Sequence, residues 1–360
     1  MLTAVTFLII LVILVLIHEF GHFIAAKKNG VLVEEFGFGF PPRIFGKKIG
    51  ETLYSINLIP LGGFVKLFGE EYHEDGQKKK QKSEIPSSRA FVNKSPLQKT
   101  IIITAGVVMN FFLGWILLSI IFTQGVPAPD GVMVSKVQKN TPASDAGLIV
   151  GDMLNSISYE NNTIEIQSTE DLIQSTKTFA DQGTLLVVNR SGKMIELKIT
   201  PRSNPPQGEG SLGVVIEQKI KMIKHPWYSA PYYGFIEAIT MIKTIGYEVL
   251  KIPAQLITKQ STDVQFTGPI GIAKVVGEAR QFGIFALMQI TAILSLNLAV
   301  INILPFPALD GGRQVFIFYE WITGKKTNQN LEHYLNLIGI IILLTLSAVI
   351  TIFDIQKYWG

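Results

Sequence analysis

Apolar residues run almost unbroken from Leu2 to Ala25, Ile101 to Phe122, about Phe285 to Leu304, and Leu335 to Phe353. Each run is close to the roughly 20 residues a helix needs to cross a bilayer, so the pattern predicts four spanning helices. The first run lacks the basic start and small-residue cleavage site of a secretory signal peptide, and polar residues interrupt it, so it reads as a retained helix. A further apolar stretch, Phe235 to Leu256, follows the aromatics Trp227, Tyr228, Tyr232 and Tyr233. Glu237, Lys243, Glu248, Lys251 and Pro253 break it, which predicts an amphipathic helix at the membrane surface and not a fifth span.

Other periodicities lie between the spans. Phe36-Gly37-Phe38-Gly39-Phe40-Pro41-Pro42 and then Thr52 to Phe68, around Gly62-Gly63, mix small, aromatic and β-branched residues in the manner of a β-hairpin; the alternative is an amphipathic loop. Glu70 to Ser88 is charged and polar. From Gly131 the chain reads as strand and turn, with strands near Val132–Val134, Leu185–Val188 and Ile195–Ile199, a short helix at Thr169–Thr178, and a Pro/Gly-rich linker over Ser203–Gly210.

The expected fold is a polytopic α-helical membrane protein of about four transmembrane helices, with a membrane-associated β-hairpin or sheet region and one inserted α+β domain. The expected boundaries are a first helix at 1–28, a loop with the β region at 29–100, a second helix at 101–123, and the inserted domain at 127–203. A linker with interfacial helices follows at 204–284, then a third helix with its trailing motif at 285–312, a loop at 313–334 and a fourth helix at 335–355.

Composition agrees with this division. The 360 residues are 48% hydrophobic, with a long polar middle. Thirteen Lys or Arg fall between Lys27 and Lys99, Lys78, Lys79, Lys80 and Lys82 among them, so the positive-inside rule assigns that loop to the cytoplasm. The inserted domain and both termini are then expected to be extracytoplasmic. The net charge of +4 is explained by this loop, and no aromatic-interleaved basic patch suggests nucleic acid. With no cysteine, a metal must be held by His, Asp or Glu.

The first span holds the chemistry. His18-Glu19-Phe20-Gly21-His22 puts two imidazoles four residues apart on one helix face, where both can hold a zinc ion, with Glu19 between them as a candidate general base. Such residues are costly at membrane depth and point to function. A catalytic zinc normally has three protein ligands. The third candidate is Asp310, in Asn302-Ile303-Leu304-Pro305-Phe306-Pro307-Ala308-Leu309-Asp310-Gly311-Gly312, where two prolines break the helix and two glycines free the backbone. Asn302, beside that break, is a candidate to hold substrate backbone or an oxyanion. Asn297 is either a substrate contact or an interhelical hydrogen bond, and Asn110 reads as packing between helices.

Taken together, H-E-x-x-H, the late N-x-x-P-x-P-x-L-D-G-G and Thr141-Pro142-Ala143-Ser144-Asp145-Ala146-Gly147-Leu148-Ile149-Val150-Gly151-Asp152 carry a family resemblance. The last resembles a pattern of bacterial PDZ domains. The set resembles the site-2 proteases, nearest to their bacterial regulator-of-sigma-E protease branch, over nearly the whole chain. The resemblance implies a zinc endopeptidase of the bacterial inner (plasma) membrane. His18, His22 and Asp310 would bind Zn²⁺ and Glu19 would be the general base. Substrates would be single-span membrane proteins cut within or beside the span, such as anti-sigma factors or signal-peptide remnants, after a first extracytoplasmic cut. The lipid bilayer is a partner, and no nucleic acid is expected. Gly62 and Gly63 would lie where substrate pairs as a strand, and the PDZ domain would bind a peptide or C-terminus or act as a size filter. The family's G-P-x-x-N is Gly106-Val107-Val108-Met109-Asn110 here, with valine for proline. The rival readings are a membrane adaptor that uses only its PDZ domain, and a zinc membrane enzyme of other chemistry.

Overall fold

The structure is a computed structural model and describes residues 2–70, 85–258 and 268–359. The lysines at 78–82 and much of the 70–88 polar segment lie outside the described residues. The chain divides into two compact units, Met1–Thr123 with Pro226–Gly360, and Gln124–His225.

The first unit contains α1 (Leu2–Lys28), α2 (Pro96–Gln124), α5 (Ala230–Thr258), α6 (Pro269–Gln281), α7 (Ile284–Ile303), α8 (Asp310–Thr323) and α9 (Gln329–Trp359), with strands β1 (Val33–Ile49) and β2 (Thr52–Leu67). Among the described residues, α1, α2, α7 and α9 are long and apolar enough to cross a membrane. Along α1 a stripe at Ile10, Leu14, His18, His22 and Ala26 is buried, while Leu2, Val5, Ile9 and Ile13 stay exposed. The helix is apolar all round, so composition alone does not mark its inward face; the polar residues do. α5 is not among the candidate spans. It is tied to α2 where the Trp115 Nε1–H donates to the Pro231 carbonyl at 2.8 Å and Trp115 meets Phe235 edge-on.

The two strands curl so that one segment is paired on both sides. Residues from Val33 to Phe38 pair with Gly63 to Leu67, and Glu35 to Phe38 also pair with Leu53 to Ile56; Arg43 to Ile49 pair with Asn57 to Thr52. In this register Gly63–Val65 pair with Phe36–Phe38 and have no second strand partner among the described residues. The sheet packs on α1, with Phe23, Phe36 and Tyr54 in mutual ring contact.

The second unit is a six-stranded sheet of β3 (Val126–Val137), β4 (Met153–Tyr159), β5 (Asn162–Glu165), β6 (Thr184–Arg190), β7 (Lys193–Ile199) and β8 (Val214–Ile223), in the order β7-β6-β4-β3-β8 with β5 on β4. Helices α3 (Pro142–Asp145) and α4 (Thr169–Thr178) complete it. Inward residues Val132, Val134, Leu154, Ile157, Leu186 and Val188 form its core. Ser168 and Asp171 close a reciprocal capping box at the start of α4. Asp152 is fully buried and accepts from the Ile149 N–H and from two nitrogens of Arg190, which also donates to the Gly147 carbonyl.

Two segments differ from the sequence expectation. Residues 214–223, expected in the linker of 204–284, form β8 and pair with β3, because Val214 and Ile216 pack on the core of this unit. The stretch 313–334, expected as a loop, begins within α8, which buries Gly311, Gly312, Gln314 and Ile317 on one side and ends on the left-handed Gly324. Its inward face is built largely from glycine and glutamine, so it leaves a faint apolar signal in sequence.

Candidate metal centre

The residues that converge come from opposite ends of the chain. His18 and His22 lie one turn apart on the buried stripe of α1, and Asp310 is the first residue of α8. His18 Nε2 is 3.2 Å from His22 Nε2, and Asp310 Oδ2 lies 3.1 Å from the first and 3.3 Å from the second. A tetrahedral ion with bonds of about 2.0–2.1 Å separates its ligand atoms by about 3.3–3.4 Å. The three atoms form a triangle of nearly that edge. Asp310 Oδ2 is buried and, apart from these two imidazoles, has no hydrogen-bond partner among the described residues. Two imidazole nitrogens and a carboxylate oxygen are a donor set suited to zinc, so the residues fit the ion.

Each group is held from behind. His22 Nδ1 is 2.8 Å from the Ile102 carbonyl, which can only accept, so Nδ1 carries the proton and Nε2 keeps its lone pair for a metal. His18 Nδ1 faces the Asn110 side-chain amide at 3.2 Å, and the Ser295 hydroxyl donates to the Asn110 backbone carbonyl at 2.7 Å. Asp310 is aimed by a tightly folded segment. A Cβ on Gly311 would stand 2.2 Å from the Leu304 carbonyl oxygen, and one on Gly312 would stand 2.3 Å from that of Phe306. α9 braces this turn, with Asn336 Oδ1 accepting from the Ala308 N–H at 3.2 Å.

Gly106 is the floor of the site. A Cβ there would lie 2.5 Å from His22 Nε2 and 2.7 Å from His18 Cε1, so α2 passes under both imidazoles only because position 106 has no side chain. Gly106 and Asn110 share the four-residue spacing of His18 and His22, and the two helices present these pairs to each other. Gly21 allows the same approach from α1, where a Cβ would meet the Ala105 carbonyl oxygen at 2.3 Å.

Around the triangle is a cavity of about 210 Å³ lined by His18, Glu19, His22, Gly63, Asp310 and Arg313, among others. A Cβ on Gly63 would stand 3.2 Å from Glu19 Cγ, so β2 runs close over the glutamate. Arg313 pairs with Glu70, whose charge raises the guanidinium pKa despite burial. A larger cavity of about 1090 Å³ shares Phe64, Val65, Glu70, Ile103 and Arg313 with the first.

The candidates from sequence thus fall into two groups. His18, Glu19, His22, Gly63 and Asp310 line one cavity. Gly62 is adjacent, in a left-handed conformation with φ of 100°. Asn297 and Asn302 are outside that lining, and the Asn297 amide donates to the Ile293 carbonyl of its own helix at 2.9 Å. Asn110, read from sequence as packing, stands at His18; the four-residue match between the two helices was the signal available for it. Arg313, Glu70 and Asn336 carried no sequence signal, because only the fold brings them here.

A membrane-embedded helical bundle with a buried His, His, Asp triangle beside a glutamate defines a zinc metalloprotease of the intramembrane type. The chain matches the model described as Peptidase family M50 over residues 6–346, and it belongs to that family, the site-2 proteases. It is 34% identical to a Clostridium acetobutylicum protein provisionally named a zinc metalloprotease, over 95% of this chain and 94% of that one. It is 29% identical to the regulator of sigma-W protease RasP of Bacillus subtilis, over 99% and 98%. It is also 29% identical to the zinc metalloprotease RasP of Bacillus licheniformis, over 99% of each chain.

Proposed function

We propose that His18, His22 and Asp310 hold the zinc, that Glu19 is the general base, and that the chain cuts single-span membrane proteins within or beside their spans. The carrying observation is the triangle of three ligand atoms 3.1–3.3 Å apart, enclosed by helices of membrane-spanning length. When bound, the ion supplies Lewis-acid polarisation of the scissile carbonyl and lowers the pKa of water. Glu19, on the wall of the same cavity, takes the proton from the attacking water and delivers it to the leaving amine. A helical substrate hides its carbonyls in hydrogen bonds and must be drawn out to be cut. The Gly63–Val65 segment lines the cavity and has a strand partner on one side among the described residues, so an extended substrate would pair along its other side, with Gly62 and Gly63 keeping the approach clear. Asn302, at the end of α7 and outside that cavity's lining, is assigned to substrate backbone that extends beyond the cavity.

The unit at Gln124–His225 is read as PDZ-like, on the strength of the 141–152 motif and its capped, buried anchor points Thr141 and Asp152. With the lysine-rich loop assigned to the cytoplasm, this unit and both termini are extracytoplasmic. There the unit would bind a peptide end or admit only substrates shortened by a first cut. The name of the Bacillus subtilis relative, a regulator of sigma-W, supports anti-sigma factors as a substrate class.

The test is cleavage of a single-span reporter in liposomes by the wild type and Glu19→Gln, with zinc measured on both. The expected result is zinc on both and a loss of about 10²–10⁴-fold in rate for the variant. A variant that cuts at the wild-type rate refutes Glu19 as base, and a wild type that binds no zinc refutes the site.

A further inference from the structure

Each zinc-binding imidazole needs a proton acceptor behind it to fix its tautomer. For His22 this is the Ile102 carbonyl; for His18 the group in reach is the Asn110 side chain, fully buried on α2. In the structure the amide presents Nδ2 to His18 Nδ1, and Asn110 Oδ1 is left buried without a partner among the described residues. That orientation makes the amide a donor to Nδ1, which puts the ring proton on Nε2, the atom aimed at His22 and Asp310. An Nε2 that carries a proton has no lone pair for a metal. The oxygen and nitrogen of an amide are nearly isosteric, and which end faces the ring follows from the hydrogen-bond network. Exchanging the ends lets His18 Nδ1–H donate to Asn110 Oδ1 and frees Nε2.

We infer that Asn110 is a positioning residue for the metal centre: its carbonyl oxygen accepts from His18 Nδ1–H and holds the imidazole in the zinc-binding tautomer. This rests on the reading of His18 as a ligand. Ser295 ties the Asn110 backbone carbonyl to α7 and Gly106 clears the space one turn away, so α2 supplies both the floor and the acceptor. It also gives the four-residue Gly106 to Asn110 spacing a reason beyond helix packing.

The test measures zinc affinity by competition with a chelator on the purified full chain, as wild type, Asn110→Leu, Asn110→Asp, Ser295→Ala and His18→Ala. Asn110→Leu keeps the branched shape but removes the acceptor, and is expected to weaken zinc binding about 10–100-fold. Asn110→Asp keeps an acceptor and is expected to stay near the wild type. Ser295→Ala loosens the tie between α2 and α7 but keeps the acceptor, and is expected to weaken zinc binding less than Asn110→Leu; an equal or larger loss for Ser295→Ala would assign the effect to the packing of α2 and overturn the inference. If Asn110→Leu binds zinc like the wild type, or if Asn110→Leu and Asn110→Asp lose affinity alike, the inference is overturned while the ligand reading stands. If His18→Ala binds zinc like the wild type, the ligand reading itself falls.

Discussion

Replacing Gly106 by alanine adds a single methyl group directly beneath the two imidazoles. Its carbon would stand 2.5 Å from His22 Nε2 and 2.7 Å from Cε1 of both His18 and His22. Carbon contacts are comfortable from about 3.5 Å, so one side must retreat by about 1 Å. The imidazole of His22 is pinned by the Ile102 carbonyl, and α2 is held to α7 through Asn110 and Ser295, so neither side yields freely. A misplacement of about 1 Å costs on the order of 10²-fold in rate, about 2.7 kcal/mol of barrier. Helix propensity works the other way, since alanine favours a helix interior over glycine by about 1 kcal/mol. Gly106→Ala is therefore expected to fold and insert like the wild type, and to lose about 10²-fold in reporter cleavage together with weaker zinc binding. The assay pairs reporter cleavage in liposomes with zinc content and circular dichroism of the same sample. Wild-type cleavage and zinc content in a well-folded Gly106→Ala would refute the close packing of α2 under the imidazoles.

Two further outcomes follow from the geometry. Gly63→Ala would bring a methyl to 3.1 Å from Val15 Cγ1 and 3.2 Å from Glu19 Cγ, a milder intrusion that touches Glu19 and not His18, His22 or Asp310. Its zinc content should stay at the wild-type level while cleavage falls about 10-fold, and loss of zinc would count against this separation of roles. In the second unit, burial pushes the Asp152 carboxyl up, but the Arg190 hydrogen bonds and the Ile149 N–H outweigh it and hold the carboxyl below its ordinary value. A depressed value in the folded state stabilises above the unfolded value of about 3.9 and is lost as pH falls through the folded one. Asp152→Asn should thus lower the melting temperature of the full chain's second unit by several degrees at pH 7, with the difference from wild type closing on acidification. A difference independent of pH would refute the charge as its source.

The four candidate spans, the sheet region and the shared face of His18 and His22 on α1 were legible in the sequence because each is a local property. A membrane helix is recorded in about twenty consecutive residues, and the positions of His18, Glu19 and His22 follow from helical periodicity once the helix exists. Asp310 was reachable too, since prolines and glycines mark irregular backbone wherever they stand. The tertiary structure alone decided what lies behind these residues. α2 passes under the imidazoles and places Asn110 at His18, β2 crosses over Glu19 at Gly63, Arg313 meets Glu70, and Asn336 braces the turn before Asp310. Each of these joins segments far apart in the chain. A helix that is apolar on every side does not record in its sequence which face meets a neighbour and which meets lipid, so only the packed structure reveals it.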